Sequence, residues 1–91
     1  MNELPVKTVM AIVVANRKEV STKVQQILTG WGCLIKTRLG LHDGVADNCS
    51  DVGLIILELV GDESQHEELC RKLNLIKGVK AKYMTLNLDE E

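Results

Sequence analysis

The chain has few of the residues on which several common functions depend. Its 91 residues include no phenylalanine, one tryptophan, one tyrosine and one proline. Small sheet proteins that bind single-stranded RNA stack the bases on aromatic side chains of their central strands. Trp31 and Tyr83 lie outside the two strands that the hydrophobic pattern places at the centre. We therefore expect no RNA to bind in this way.

Cysteine and positive charge are also scarce. The three cysteines, Cys33, Cys49 and Cys70, are widely separated, which argues against a disulfide framework and against a zinc or iron–sulfur knuckle. The formal net charge is -2 and the isoelectric point is about 5.7, so no overall positive field attracts nucleic acid or an anionic membrane. We expect free thiols in a reducing cytoplasm and no direct nucleic-acid partner.

Long apolar runs and a basic start are missing as well. No run approaches the roughly 18 residues of a membrane span, and the first five residues contain an acid and a proline where a signal peptide needs basic residues. We therefore expect a cytoplasmic protein with no membrane partner. The length allows one domain, and we predict a single domain over residues 1–91 with its core at about 6–88.

A strand–helix–strand pattern occurs twice along the chain. Val6–Ala15 and Val52–Val60 are apolar on both faces, as central strands require. Each is followed by a helix with an apolar stripe and then by an amphipathic strand typical of a sheet edge. In the first edge strand, Ile35 and Leu39 are expected on one side and Lys36 and Arg38 on the other.

Both helix starts match the spacing of a capping box. Asn16 stands three residues before Glu19. For the second helix the cap is either Asp62, three residues before Gln65, or Ser64, three residues before Glu67. The first helix is therefore expected over about residues 17–29, with Asn16 as its cap.

The order β-α-β-β-α-β with right-handed crossovers predicts a ferredoxin-like α+β sandwich: a four-stranded antiparallel sheet with two helices on one face. The other face is then open, and we expect it to carry the oligomer interface Met10, Ile12, Val14, Leu54 and Ile56. Burying one aliphatic side chain contributes about 1.5–3 kcal/mol, so an open face of this kind leaves much stabilisation unused. We predict a homo-oligomer, a dimer or a tetramer, formed through this face or by edge pairing.

Catalytic motifs are absent from the sequence. It contains no G-x-G-x-x-G, P-loop, nucleophile elbow or paired-histidine motif. An acylphosphatase would need a glycine-rich phosphate-binding loop after the first strand, but residues 14–19 contain no glycine. We expect neither an enzyme nor a cofactor.

The most distinctive polar site is Arg38 with Gly40 at the end of the first edge strand. A guanidinium there can bind a carboxylate or phosphate through two hydrogen bonds across a subunit boundary. The alternative is a solvated arginine that protects the edge strand from aggregation.

A second candidate lies in the aspartate-rich loop over about residues 40–51. His42 and Cys49 share this loop, and imidazole, thiolate and carboxylates are ligands for zinc or nickel. Their spacing matches no known metal motif, and a polar loop of turn residues is the alternative interpretation.

Four segments carry a resemblance to a known family: residues 10–17 (MAIVVANR), 20–28, 38–40 (RLG) and 73–80 (LNLIKGVK). Over about residues 6–88 the chain resembles the iron-only hydrogenase system regulators. These ACT-like, ferredoxin-fold domains are similar to the C-terminal oligomerisation and metal-sensing domain of the nickel-responsive repressor. The resemblance implies a regulatory, non-enzymatic and oligomeric domain.

The resemblance also implies a place for a ligand. ACT domains bind small molecules at a subunit interface near the first strand–helix junction, a position that Asn16 and Arg17 occupy here. The resulting ligand set is Asn16, Arg17, Arg38 and Gly40. Only five residues precede the first predicted strand, so we expect no counterpart of the repressor's DNA-binding module, and the repressor's nickel histidines are not matched. A nickel or zinc sensor using His42 and Cys49, or a purely structural interaction module, are the alternatives.

Overall fold

The elements follow the predicted order. The computed structural model describes residues 6–42 and 52–89. Its elements are β1 (Val6–Ala15), α1 (Lys18–Gly30), a short 3-10 helix (Gly32–Leu34), β2 (Ile35–His42), β3 (Val52–Leu59), α2 (Glu63–Asn74) and β4 (Val79–Asn87). The strands form one antiparallel sheet in the order β2-β3-β1-β4, and both helices pack on the same face. This confirms the predicted ferredoxin-like α+β fold.

The hydrophobic core lies between the sheet and the helices. Each helix contributes one stripe of aliphatic side chains, spaced three or four residues apart as helical geometry requires. The core consists of Met10, Ile12, Val14, Val20, Val24, Leu28, Leu57, Leu59, Leu69, Leu73, Val79 and Ala81. Within the described ranges, neither helix is long and apolar enough to cross a membrane.

The prediction that Met10, Ile12 and Val14 lie on the open face is wrong. Met10 and Ile12 are fully buried and Val14 is 7% exposed, all three beneath the helices. Residues directly opposite each other on neighbouring strands share a face, and Met10 pairs with the buried Leu57. The even-numbered residues of β1 therefore face the helices and belong to the core.

The open face carries the odd-numbered residues of β1 instead. Val13 is 42% exposed and pairs with Leu54, while Ala11 pairs with Ile56. Leu54 and Ile56 are thus on the face where the sequence analysis placed them. The other open-face residues given by the strand register are Lys7, Val9, Thr37, Leu39, Val52, Glu58, Lys80, Lys82, Met84 and Leu86.

An irregularity in β2 reverses the face of its first residue. The register shifts between Ile35 and Thr37, where Ile35 pairs with Leu59 and Thr37 with Glu58. Such a bulge inserts one residue and breaks the two-residue alternation. Ile35 therefore packs against the core, whereas Leu39 lies on the open face and is 52% exposed. The expected common face for these two residues is wrong.

One of the two helix caps forms as predicted. Asp62 is the N-cap of α2, and its backbone N–H donates to Oε1 of Gln65 at 2.9 Å. Helix α1 begins at Lys18 with Arg17 at the N-cap, and Arg17 makes no side-chain capping bond. The capping box expected from Asn16 is therefore not observed.

Asn74, the last residue of α2, binds the outer edge of β4. The side-chain oxygen of Asn74 accepts from the N–H of Ala81 at 2.8 Å, and its Nδ2 donates to the Ala81 carbonyl at 3.0 Å. The Cys70 thiol donates to the same carbonyl at 3.4 Å. The amide thus takes the place that a neighbouring strand would occupy, and it joins the end of α2 to the sheet.

We expect Asn74→Ala to lower the free energy of unfolding by about 1–3 kcal/mol, because both backbone groups of the buried Ala81 lose a partner. Urea titration followed by circular dichroism measures this change. Asn87→Ala, at the other end of β4, is the control and should change stability by less than about 0.5 kcal/mol. Equal effects of the two substitutions would contradict this role for Asn74.

Candidate functional site

A cavity of about 260 Å³ opens between α1 and the β2 side of the sheet. Two glycines on the helix-facing side create much of this space. A Cβ added to Gly40 would meet no atom within 4 Å, and one added to Gly53 would meet only the Val14 carbonyl oxygen at 3.9 Å. The cavity therefore exists because two side chains are missing from an otherwise filled layer.

The cavity combines an apolar floor with neutral polar walls. Val14, Val24 and Ile55 belong to the apolar part, while Ser21 and Gln25 contribute polar atoms from α1. No aspartate or glutamate is among the described residues that line it. Such a cavity offers hydrogen-bond donors and acceptors without repelling an anion.

Arg38 lies beside this cavity. It belongs to β2, and its guanidinium donates to the side-chain oxygen of Gln25. The bulge in β2 gives Arg38 and Gly40 the helix-facing side of the strand, so a positive charge is placed next to the glycine space. An arginine in this position can bind a carboxylate or phosphate through two hydrogen bonds.

The structure brings three of the four predicted ligand residues together. Asn16 and Gly40 line the cavity, and Arg38 is hydrogen-bonded to Gln25, which also lines it. Arg17 is exposed at the N-cap of α1 and does not line the cavity.

Gly78 fixes the backbone at the Asn16 end of the cavity. Its carbonyl accepts from the N–H of Ala15 at 2.7 Å, and its φ is +94°. A Cβ there would lie 3.1 Å from the Ala15 Cβ and 3.6 Å from Val20 Cγ2. Only glycine fits this conformation and this approach without strain. The contact joins the turn after β1 to the turn before β4, two of the segments that carry the family resemblance.

The metal alternative finds no further support. No group of three or more His, Cys, Asp or Glu residues that could hold an ion occurs in the described part of the chain. His42 ends β2, but its side chain is outside what the structure describes. Cys49 and most of the 40–51 loop also lie outside the described residues. The proposed pair is therefore untested and remains a prediction.

Three titratable side chains on α2 and β4 make structural contacts: His66, Cys70 and Tyr83. Burial raises the pKa of the Cys70 thiol, which keeps it protonated and poorly nucleophilic near neutral pH. His66 is buried, and its Nε2–H donates to the Val60 carbonyl at 2.8 Å. Desolvation and the nearby Glu63 carboxylate raise the pKa of Tyr83. None of these contacts activates a nucleophile or a general base.

Sequence reasoning missed Ser21, Gln25 and Gly53. The apolar stripe of the first helix predicts which residues enter the core, but neutral polar residues such as Ser21 and Gln25 carry no motif. A glycine inside an apolar strand is the signal that could have indicated the cavity, since such a glycine often marks a close approach or an open space. Ser21 and Gln25, four residues apart on α1, face the same direction.

The element order, the four-stranded antiparallel sheet and the two helices on one face define a ferredoxin-like α+β domain. The chain belongs to the TM1266-like family, described as "Iron-only hydrogenase system regulator, putative", whose model matches residues 7–83. This confirms the resemblance found in the sequence.

A solved structure supports the same grouping. The uncharacterized protein TM1266 from Thermotoga maritima is similar to this chain with a TM-score of 0.78 and 27% sequence identity. The alignment covers 89% of this chain and 96% of that chain. No curated protein matches the sequence.

Proposed function

We propose that this protein is a non-enzymatic, cytoplasmic regulatory domain of a hydrogenase system. In this proposal it self-associates through the open sheet face and binds a small anion or amino acid in the cavity beside Arg38. The family description supports the regulatory role. The observation that carries the proposal is the uncovered apolar face opposite the helices.

The open face has the character of an interface between two copies. Val13, Leu39 and Met84 are 42%, 52% and 58% exposed, and they share this face with Leu54 and Ile56. Lys7 and Glu58 form an ion pair there at 3.4 Å. An apolar centre with a few charged residues is the usual composition of a protein interface.

The size of the face also suits a second copy. Strands of eight to ten residues, rising about 3.3 Å per residue and spaced about 4.8 Å apart, give a sheet of roughly 30 by 20 Å. Its projected area of roughly 600 Å², increased by side-chain relief, approaches the about 800 Å² that each partner of a standard interface buries. Two-fold packing of identical faces is the simplest closed assembly.

Sedimentation at micromolar concentration tests the self-association. We expect an oligomer, and we expect Ile56→Lys to dissociate it, because a buried unpaired ammonium destabilises the interface. Gln26→Lys adds the same charge on the exposed side of α1 and is the control that should leave the oligomer intact. A monomeric wild-type protein would overturn this part of the proposal.

Thermal-shift measurements with inorganic phosphate and with aspartate as probes test the ligand site. We expect either probe to raise the melting temperature of the wild-type protein and to lose this effect in Arg38→Gln. Lys23→Gln, which removes a positive charge from the exposed side of α1, is the control. Equal shifts in both variants would show that the anion does not bind beside Arg38.

A further inference from the structure

The backbone N–H and C=O groups of Arg38 and Gly40 point outward from the β2 edge of the sheet, away from β3. The N–H and C=O of Ala81 are both hydrogen-bonded to the side chain of Asn74, so the backbone N–H and C=O groups of the odd-numbered residues of β4 point away from β1. Along a strand, the N–H and C=O groups of successive residues point alternately to the two neighbouring strands. Ala81 pairs with Ile12, Ile12 with Ile55, and Ile55 with Gly40, so the orientation known for Ala81 also gives that of Gly40. The outward residues of β2 beyond its bulge are then the even-numbered ones, including Arg38 and Gly40.

The two edges of the sheet therefore differ. On β4, the Asn74 amide is hydrogen-bonded to the backbone of Ala81, and the N–H of Val79 donates to the Ile76 carbonyl at 3.1 Å. On β2, the N–H and C=O groups of Arg38 and Gly40 have no partner among the described residues. An extended chain can add to β2 by main-chain hydrogen bonds, while the first half of β4 is already occupied.

Strand β2 itself carries basic side chains. Residues 35–42 include Lys36 and Arg38 and no acid. Glu58, the nearest acidic side chain of β3, lies on the opposite face, where Lys7 and Thr37 bind it. Two copies pairing through β2 would bring these basic strands together, whereas an acidic segment complements them.

The cavity supplies a place for one side chain of such a segment. A residue that pairs with Gly40 by main-chain hydrogen bonds lies directly opposite it and shares its helix-facing side. That side chain would enter the space left by Gly40 and Gly53. Its neighbour two residues along would lie opposite Arg38, on the same face, where a carboxylate can meet the guanidinium.

We propose that β2 binds an extended acidic segment of a partner protein as a fifth strand, with a small aliphatic side chain in the cavity and a carboxylate on Arg38. The proposal rests on the cavity of the proposed function but not on the open sheet face. It specifies that the anion at this site belongs to a polypeptide.

Fluorescence anisotropy with a labelled seven-residue peptide tests this. The probe has threonine at its odd positions and glutamate, valine, glutamate at its even positions, so the three non-threonine side chains share one face. We expect saturable binding, at least tenfold weaker when lysines replace the glutamates. N-methylation of the valine should abolish binding, because its N–H faces β2, whereas N-methylation of either threonine flanking the valine should be tolerated.

Protein variants locate the site. Arg38→Glu and Gly40→Val should each weaken peptide binding at least tenfold, while Lys82→Glu, on the open face of the opposite edge strand, should not. Equal binding of the lysine peptide or of the valine-methylated peptide would overturn the proposal without depending on any variant. So would loss of self-association in Gly40→Val with no peptide binding by the wild type, since a second copy would then occupy β2.

The measurements separate this inference from the proposed function. If phosphate or aspartate stabilises the protein while the glutamate peptide does not bind, the small-anion site stands and the fifth strand is refuted. If Ile56→Lys is monomeric and still binds the peptide, the β2 site is confirmed as independent of the open face.

Discussion

Replacing Gly78 by alanine is expected to lower the free energy of unfolding by about 2–4 kcal/mol. The backbone at this position has a φ of +94°, which residues other than glycine rarely adopt. The new Cβ would also lie 3.1 Å from the Cβ of Ala15. Relief of this contact would displace the turn before Asn16. Urea titration measures the stability, and the phosphate-induced thermal shift should decrease in the same variant.

Gly40→Ala is the matched control for this prediction. Its new Cβ meets no atom within 4 Å, and no positive φ holds Gly40. The substitution should leave stability unchanged or increase it by up to about 1 kcal/mol, because alanine restricts the unfolded chain more than glycine does. If both variants lost the same stability, strain at Gly78 would not be the cause.

Ile12→Ala is expected to lower the free energy of unfolding by about 2–5 kcal/mol without changing the oligomeric state of the folded protein. Ile12 is fully buried beneath the helices, and its truncation leaves a cavity in the core beside its cross-strand partners Ile55 and Ala81. Urea titration of the variant measures the loss. Sedimentation in the absence of urea shows whether the remaining folded protein still associates.

Substitutions of the adjacent Val13 are expected to have the opposite effects: little change in stability but a change in association. Val13 points to the open face and is 42% exposed, so Val13→Ala should change the stability of one subunit by less than about 1 kcal/mol. Val13→Lys should instead dissociate the proposed oligomer. If Ile12→Ala dissociated a fully stable subunit, the assignment of the two faces would be incorrect.

The strand order could be predicted from the sequence because apolar strands, amphipathic strands and helix caps alternate regularly. The faces of β1 were assigned wrongly because a strand that is apolar on both sides gives no indication of which residues meet the helices. A signal was nevertheless present. Lys7 and Glu58 are the charged residues of β1 and β3, and their ion pair marks the open face. Because side chains alternate along a strand, Val9, Ala11 and Val13 lie on the same face of β1 as Lys7.

The candidate site was partly predictable for a different reason. Arg38 with Gly40 was predicted as a polar site at the end of an edge strand, and Asn16 followed from the family resemblance. The bulge after Ile35 could not be read from alternation alone, because an inserted residue leaves no distinct residue type behind. The cavity could not be predicted because it consists of the space at Gly40 and Gly53, and a missing side chain leaves no functional group in the sequence.

The amide of Asn74 has a consequence for how large an assembly can become. A flat sheet with two accessible edges can join head to tail, β2 of one molecule to β4 of the next, and grow into a fibre without limit. Because Asn74 already satisfies the main chain of Ala81, the first half of β4 cannot take part in that repeating contact. Such growth would have to use the second half of β4 alone, which disfavours open-ended polymerisation.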